Sequence, residues 1–311
     1  MPESDYQWLD KALILDFDEL CRVARAFGGL GADRIRLTGG EPLLRKDLPE
    51  LVGMLKRESA FRDLALTTNG VLLEAHGEAL KNAGLDRLTV SLDSLDSIRY
   101  ARLTARDKFA EAIRGIEFAG TLGFGSVKIN TVVIRGENED ELVDLLEFGR
   151  RVGAEVRFIE YMDVGGATQW QENRVVSRDQ ILAVIRAHYG DLSPVAKIDA
   201  APADRWQLAD GTTFGIISST TAPFCNSCDR SRVTADGTWF LCLYARTGMD
   251  LRALLRSGIS DEDLREQIAG VWRSRADRGA KDRLALEGRG VLADANELAA
   301  DPRLEMHTRG G

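Results

Sequence analysis

The sequence predicts an α/β protein built as a partial (incomplete), TIM-like parallel barrel, followed by a C-terminal extension of hairpins and helices. Two observations predict the barrel. Strand-like and helix-like segments alternate roughly every 25–35 residues, the size of a βα repeat, and polar residues recur where the strands end. A third observation, a change to hairpin signals after residue 164, predicts the extension. We therefore expect a barrel segment over residues 1–164 and a second segment over 165–311.

The barrel strands are predicted from short runs rich in Val, Ile, Leu and Thr, at 34–38, 64–68, 87–92, 127–134 and 155–161. Amphipathic stretches between them predict helices that begin near residues 16, 47, 72, 108 and 138. The first helix carries a capping-box signal, because Asp16 can cap it and Glu19 can reach back to the backbone N–H of Asp16.

The second segment begins with a predicted helix near 177–189. Two hairpins are then predicted, because Asp-Gly pairs separate the strand-like runs 206–208 and 213–217, and again 232–234 and 238–243. A helix over 261–275 and a tail rich in Gly and Arg complete the chain.

Composition limits the classes of function. The chain has 311 residues with a net charge of -8, which argues against general binding to nucleic acid or to a membrane surface. No apolar run approaches the length of a membrane span, and the polar N-terminus is unlike a signal peptide. Four cysteines in a chain of this length do not form a disulfide framework. We expect a cytoplasmic protein.

Three cysteines, Cys225, Cys228 and Cys242, form a C-x2-C-x13-C pattern across the second predicted hairpin. The hairpin can bring the third thiolate back to the first two and leave one ligand position open. A four-iron cluster can be held in this way with one iron free to bind a small molecule, whereas structural zinc takes four protein ligands. Zinc completed by a remote His188 or His307, and unliganded thiols, stay open as alternatives.

Arg230 and Arg232 follow the second cysteine of this pattern. In an extended segment, alternate residues point to the same side, so both guanidinium groups would face the open position. Such a pair suits a ligand with phosphate groups. The alternative is two solvated surface arginines.

Polar residues mark the ends of the predicted barrel strands. The first strand leads into residues 37–42 (LTGGEP), where paired glycines let the backbone approach a ligand closely. Further along, Lys128 lies inside an apolar run, where burial is costly without an anionic partner. Active sites of α/β barrels lie at the carboxyl ends of the strands, although helix caps would also explain any one polar strand end.

Together these motifs resemble the radical S-adenosylmethionine superfamily and, within it, the GTP 3′,8-cyclases. The landmarks cover nearly the whole chain: 36–42 (RLTGGEP), 66–70 (LTTNG), 90–93 (VSLD), 128–130 (KIN), 157–163 (RFIEYMD), 224–232 (FCNSCDRSR), Cys242 and the closing Gly310 and Gly311. The glycine loop is typical of the superfamily, and the C-terminal cysteines and arginines narrow the resemblance to the cyclases.

The resemblance implies the first step of molybdenum cofactor biosynthesis. One cluster reduces S-adenosylmethionine to give a 5′-deoxyadenosyl radical. This radical takes the C3′ hydrogen of GTP, and C3′ then joins C8 to give (8S)-3′,8-cyclo-7,8-dihydroguanosine 5′-triphosphate. No protein side chain is assigned as catalytic beyond these cofactors. The implied pathway partner is the enzyme that forms cyclic pyranopterin monophosphate, and a homodimer stays open.

The resemblance also assigns residues to ligands. It implies GTP contacts at Arg36, Thr67, Lys128, Arg230 and Arg232, S-adenosylmethionine contacts at Gly40, Ser91 and Met162, and a [4Fe-4S] cluster on Cys225, Cys228 and Cys242. Arg157 resembles a further pocket residue, and Gly310 and Gly311 resemble a tail sent toward the active site.

One family motif is missing from the sequence. The cyclases hold the radical-forming cluster on a C-x3-C-x2-C motif, and Met1, Pro2 and Glu3 resemble the residues that follow it. Cys21 cannot replace the motif, because it is a single thiol in the first predicted helix and is expected in the core. We expect the motif, and with it the second [4Fe-4S] cluster, in an N-terminally extended form.

Three alternatives remain open at this point. A catalytically dead GTP-binding module would bind the nucleotide without turning it over. A zinc-stabilised metabolic barrel would contain zinc and no iron. A different radical enzyme, such as a peptide-modifying one, would leave the two arginines after Cys228 unexplained.

Overall fold

The computed structural model describes residues 9–310, so the predictions for Met1, Pro2, Glu3 and Gly311 lie outside the described part of the chain. The α/β fold class is confirmed. The strands are β1 (Arg34–Leu37), β2 (Asp63–Thr68), β3 (Arg87–Ser91), β4 (Ser126–Val133), β5 (Glu155–Glu160), β6 (Ser193–Val195), β7 (Asp204–Gln207), β8 (Thr213–Ile217), β9 (Arg232–Val233), β10 (Thr238–Phe240) and β11 (Met249–Asp250).

Within the described residues, the α-helices include the seven that the sequence predicts, together with five that it does not. They are α1 (Phe17–Gly28), α2 (Leu48–Lys56), α3 (Leu73–Asn82), α4 (Ser97–Thr104), α5 (Phe109–Thr121), α6 (Leu142–Val152), α7 (Arg178–Tyr189), α8 (Leu251–Arg256), α9 (Asp261–Arg273), α10 (Gly279–Leu284), α11 (Ala295–Ala300) and α12 (Met306–Arg309). The capping box of α1 is present, with Asp16 accepting from the Glu19 N–H at 2.8 Å. Sequence reasoning missed α4, whose buried residues are only Tyr100 and Leu103, too few for a clear helical period.

An eight-stranded sheet organises the fold, in the order β1-β2-β3-β4-β5-β8-β7-β6. Strands β1 to β5 are parallel, β8 continues the parallel set beside β5, and β7 and β6 add an antiparallel edge. Within the described residues the sheet is open at β1 and β6, which is the predicted partial barrel. Strands from both predicted segments share this sheet.

Strand register divides the sheet into an apolar face and a polar face. The apolar face carries residues such as Leu66, Leu88, Val90 and Ile129, all fully buried in the main hydrophobic core with the surrounding helices. On the opposite side, paired positions place polar residues in neighbouring strands. We define the polar face by Arg36, Thr67, Thr89, Ser91, Lys128, Asn130 and Arg157.

The C-terminal extension has its own small core. Strands β9, β10 and β11 form a three-stranded antiparallel sheet. Trp239 of β10 packs with Leu251, Leu264 and Ile268, and this cluster includes Val23 of α1, so the extension rests on the first barrel helix. None of the helices within residues 9–310 has the length and apolar character that a membrane crossing requires.

Candidate functional site

Arg36 begins the site on the polar face. Although the residue as a whole is exposed at the edge strand, its guanidinium donates to the hydroxyls of Thr67 at 2.9 Å and Thr89 at 3.0 Å. Protein around the guanidinium, and the charges of Arg87 and Arg157, lower the pKa of Arg36 to about 10. Within residues 9–310 it forms no ion pair, so its charge is not balanced by an acidic side chain.

Lys128 lies near the middle of the same face and is buried. Burial and the neighbouring charges of Arg157 and Arg87 lower the pKa of Lys128 to about 8. Arg157 has a partner, because its Nε donates to Glu155 Oε1 at 2.9 Å. Lys128 has no ion-pair partner in the described part of the chain. A buried ammonium of this kind is costly unless an anion accompanies it.

The loop after β1 is held against the end of β2. One Glu41 carboxylate oxygen accepts from the Thr68 hydroxyl at 2.7 Å, and the other accepts from the Asn69 N–H at 2.8 Å. This anchors the loop, in which Gly39 adopts a φ of +137°. Gly40 in this loop and Ser91 at the end of β3 are both exposed at the carboxyl ends of their strands.

The three predicted cluster ligands are unpaired thiols and partly buried. Cys225 opens a short 3-10 turn, and Cys228 ends it. Cys242 follows β10 and belongs to the same apolar cluster as Cys225, Met162 and Tyr244. Met162, which follows β5, packs against the same buried cluster as these two cysteines.

Cys228 has the most polar surroundings of the three. Its Sγ accepts from Nη2 of Arg230 at 3.7 Å and from Nη2 of Arg275 at 3.8 Å. Burial acts to raise the pKa of Cys228, but hydrogen bonds and charges from Arg230 and Arg275 outweigh it and hold this pKa below its ordinary value. The thiolate is the form that binds metal.

Arg230 and Arg232 connect the cysteines with the polar face. The Nε atoms of both are buried and have no hydrogen-bond partner among the described residues. Burial and the charge of Arg230 lower the pKa of Arg232 to about 10. The charge of Arg230 also contributes to the lowered pKa of Arg36. Both arginines are therefore partly buried and not fully exposed to solvent.

The donor set at the cysteines suits an iron–sulfur cluster. Across residues 9–310, no group of three or more His, Cys, Asp or Glu side chains is arranged to hold a metal ion. A four-iron cluster makes a different demand, because each thiolate binds a separate iron. Soft thiolates in contact with guanidinium groups fit such a cluster, which is anionic when three thiolates hold it.

Sequence reasoning missed several residues of this region. Thr89 holds Arg36 and could have been found, because it lies two residues before Ser91 and must share its face. Arg309 is a buried cation 4.2 Å from the Phe240 ring, and its Nη2 has no partner in the part of the chain described here. Neither Arg309 nor Arg275 has a local sequence signal, since both arrive from the tail.

Two family models match the chain in succession. The radical SAM superfamily model matches residues 3–149, and the Molybdenum Cofactor Synthesis C model matches residues 154–281. Among solved structures, Streptococcus suis SuiB bound to S-adenosylmethionine is similar with a TM-score of 0.59 over 87% of this chain and 61% of that chain. The identity is 13%, so this likeness concerns the fold alone. The two family models indicate a radical S-adenosylmethionine protein of molybdenum cofactor synthesis.

Curated relatives narrow the class. GTP 3′,8-cyclase 1 of Mycobacterium tuberculosis is 51% identical over all of this chain and 88% of its own length. GTP 3′,8-cyclase of Staphylococcus aureus is 39% identical over 90% of this chain and 83% of its own length. The chain belongs to the GTP 3′,8-cyclase family. Members of the radical SAM superfamily use a [4Fe-4S] cluster and S-adenosylmethionine, and both follow for this family.

Proposed function

We propose that this chain is a GTP 3′,8-cyclase that binds GTP between the polar face and the three cysteines. The observation that carries the proposal is a set of buried cationic groups that form no ion pair in the described residues: Lys128 on one side, and the Nε atoms of Arg230 and Arg232 on the other. The charge of Glu155 reaches Lys128, but the Glu155 carboxylate is itself paired with Arg157 and Arg205. A triphosphate supplies the missing negative charge, and guanidinium groups bind phosphate oxygens with two parallel hydrogen bonds.

Each predicted residue has a role in this proposal. Arg36, Thr67 and Lys128 bind GTP from the sheet, with Arg157 at the pocket wall, and Arg230 and Arg232 bind it from the extension. Gly40, Ser91 and Met162 hold S-adenosylmethionine at the carboxyl ends of the strands. Cys225, Cys228 and Cys242 would hold a [4Fe-4S] cluster, which would supply a metal site for GTP. The bound cofactors supply the radical that joins C3′ of the ribose to C8 of guanine.

The chain's own groups orient GTP and limit the access of water. Arg36 is pre-positioned, because the hydroxyls of Thr67 and Thr89 fix its guanidinium before any ligand arrives. Lys128 is already desolvated, so its attraction to phosphate is screened little by water. Such preorganised charge costs no rearrangement when the ligand binds.

The proposal has consequences for organisation and location. Residues 1–164 contribute the S-adenosylmethionine side and residues 165–311 the cluster that binds GTP. A cytoplasmic location supplies GTP and the reducing conditions that keep cysteines as thiols. The product would pass to the enzyme that forms cyclic pyranopterin monophosphate, and assembly as a homodimer is part of the same proposal.

Metal content tests the proposal first. After anaerobic reconstitution with iron and sulfide, the protein should retain about four iron atoms per chain, as expected for one four-iron cluster held by cysteines. The triple variant C225S, C228S and C242S should lose this iron. Zinc in place of iron and sulfide in the reconstituted wild-type chain would instead support a zinc-stabilised barrel.

The affinity for GTP then tests whether GTP is the ligand of this site. Arg230→Ala should weaken GTP binding by roughly tenfold or more, the expected loss for a charge-assisted bidentate contact, and leave the iron content unchanged. Arg273→Ala is the matched control, because Arg273 is exposed at the end of α9. Equal GTP affinity in all three proteins would contradict the role of Arg230. GTP binding without release of 5′-deoxyadenosine, in a form that carries the first cluster motif, would favour the GTP-binding module.

A further inference from the structure

The three cysteines differ in their contacts. Sγ of Cys228 accepts from guanidinium groups of Arg230 and Arg275, at 3.7 and 3.8 Å. In the described residues, Cys225 and Cys242 pack in an apolar cluster with Met162 and Tyr244. Among the described residues, Cys228 is therefore the cysteine whose sulfur accepts hydrogen bonds from guanidinium groups, although the charges of Arg232 and Arg309 also reach Cys242.

Arg275 is fixed in place by several groups. Its Nη1 donates to the backbone carbonyl of Cys228 at 3.3 Å, so one guanidinium binds both the carbonyl and the sulfur of the same residue. Nε donates to Asp277 Oδ2 at 3.0 Å, and the guanidinium lies 4.7 Å from the Trp272 ring centroid. The side chain of Arg275 is 11% exposed. Its position is therefore set independently of any ligand.

We propose that Arg275 is a positioning residue of the C-terminal iron–sulfur cluster, which holds the Cys228 thiolate and raises the reduction potential of the cluster. The inference rests on the proposed function, since it requires the cluster on Cys225, Cys228 and Cys242. Hydrogen bonds to ligand sulfurs and nearby charge set the potential of such clusters. A fixed positive group favours the reduced state, because reduction adds a negative charge.

The assignment separates Arg275 from Arg230. Arg230 stacks on Phe224 and its charge reaches Arg36 on the polar face, as suits a GTP contact. Arg275 instead binds the backbone of Cys228 and is anchored by Asp277. Loss of Arg275 should therefore change the reduction potential of the cluster more than it changes GTP affinity. Loss of Arg230 should change both the potential and GTP affinity.

The test is a potentiometric titration of the reconstituted full chain without GTP, followed by the electron paramagnetic resonance signal of the reduced cluster. Arg275→Gln should lower the midpoint potential by an amount on the order of a tenfold change in the reduction equilibrium, which is ~59 mV for one electron. Arg275→Lys keeps the positive charge and should return the potential toward the wild-type value. Arg278→Gln is the matched control, because Arg278 is exposed and three residues away.

The outcomes are distinguishable. A wild-type chain that binds no iron and sulfide would overturn the proposed function itself. A complete cluster in Arg275→Gln with the wild-type potential would overturn only this inference. If Arg275→Gln fails to assemble the cluster, Asp277→Asn releases the anchor but keeps the guanidinium, and should lower the potential by a smaller amount. A wild-type potential in Asp277→Asn, measured on a complete cluster, would likewise overturn the inference.

Discussion

The polar face of the sheet and the C-terminal extension bury charge in opposite ways. On the polar face, Lys128 is buried with no ion-pair partner within residues 9–310. Asp163, which follows β5 and binds arginines of the extension, and Asp236 of the extension are even more deeply buried, but each is surrounded by donors. Asp163 accepts from Arg283, from Arg289 at 2.6 Å and from the Tyr244 hydroxyl at 3.0 Å.

This contrast distinguishes buried charges that stabilise the fold, because they have partners, from buried charges that need a ligand as their partner. Asp236 accepts from Thr234, Arg252 and Arg303, so the tail is tied to the β9–β10 turn by a satisfied network. A satisfied buried charge is a structural element, and removing one partner is costly. An unpaired buried charge lowers stability by itself, and its presence is explained when an oppositely charged ligand completes it.

The largest effect on stability is expected when the paired carboxylate of Asp163 is removed. Asp163→Asn should lower the free energy of unfolding by about 3–5 kcal/mol, because it leaves the Arg283 and Arg289 charges without their carboxylate. Urea denaturation followed by circular dichroism measures it. The control is Asp179→Asn, whose side chain is 83% exposed and should change stability by less than about 0.5 kcal/mol. Equal losses in the two variants would contradict a structural role for the Asp163 network.

Removal of the unpaired charge of Lys128 should change stability in the opposite direction. Lys128→Met removes a desolvated charge from the ligand-free protein, so stability at pH 7 should rise by about 1–3 kcal/mol. GTP affinity should fall by roughly tenfold or more, since one phosphate contact is lost. Lys46→Met is the control, because the Lys46 side chain is 92% exposed. A loss of stability in Lys128→Met would show that Lys128 has a structural partner instead.

The pH dependence of stability sharpens the same comparison. The pKa of Lys128 is about 8 in the folded chain and about 10.5 in the unfolded chain. Between these values the unfolded state binds more protons, so the stability of the ligand-free protein relative to Lys128→Met should rise with pH and level off above about 10.5. GTP binding should weaken as the pH rises through about 8, because the ammonium charge is lost. Lys128→Arg, which stays charged, should remove that weakening.

Much of the fold could be predicted from the sequence because it depends on local patterns. The five barrel strands and the α1 capping box follow from apolar runs and from the spacing of Asp16 and Glu19. The place of β8 could not be predicted, since a hairpin signal fixes β7 against β8 but does not say that β8 pairs with β5. That pairing depends on packing between segments far apart in the chain.

The residues of the candidate site also divide into those that could be predicted from local patterns and those that could not. Period-2 alternation along β3 and β4 is enough to place Ser91 with Thr89 and Lys128 with Asn130 on one face. Arg275 could not have been predicted, because its contact with Cys228 joins residues 47 positions apart through an irregular tail. The roles of Arg36, Lys128, Arg230 and Arg232 as GTP contacts remain predictions, supported by their burial and their lack of acidic partners in the described chain.

The smallest expected effect concerns the point where the tail meets the barrel. Gly310 has a φ of +75°, and a Cβ there would lie 2.2 Å from Thr38 Cγ2, beside the loop of Gly39 and Gly40. Gly288 has a φ of +66° but no neighbour within 4 Å of a Cβ, so it is a matched control for backbone strain. Both Gly310→Ala and Gly288→Ala should lose about 1 kcal/mol of stability, from the left-handed conformation.

Only Gly310→Ala should also displace the loop after β1, and therefore weaken S-adenosylmethionine binding several-fold in equilibrium dialysis. The two glycines share a left-handed backbone, and an alanine keeps the hydrogen bond from the residue 310 N–H to the Met306 carbonyl, so the difference between the variants reports mainly on the contact with Thr38. Equal binding of S-adenosylmethionine by both variants would mean that the tail closes over the sheet without shaping the loop. A loss of S-adenosylmethionine binding confined to Gly310→Ala would show that the extension and the polar face are coupled through a steric contact, because no charge is exchanged at this position.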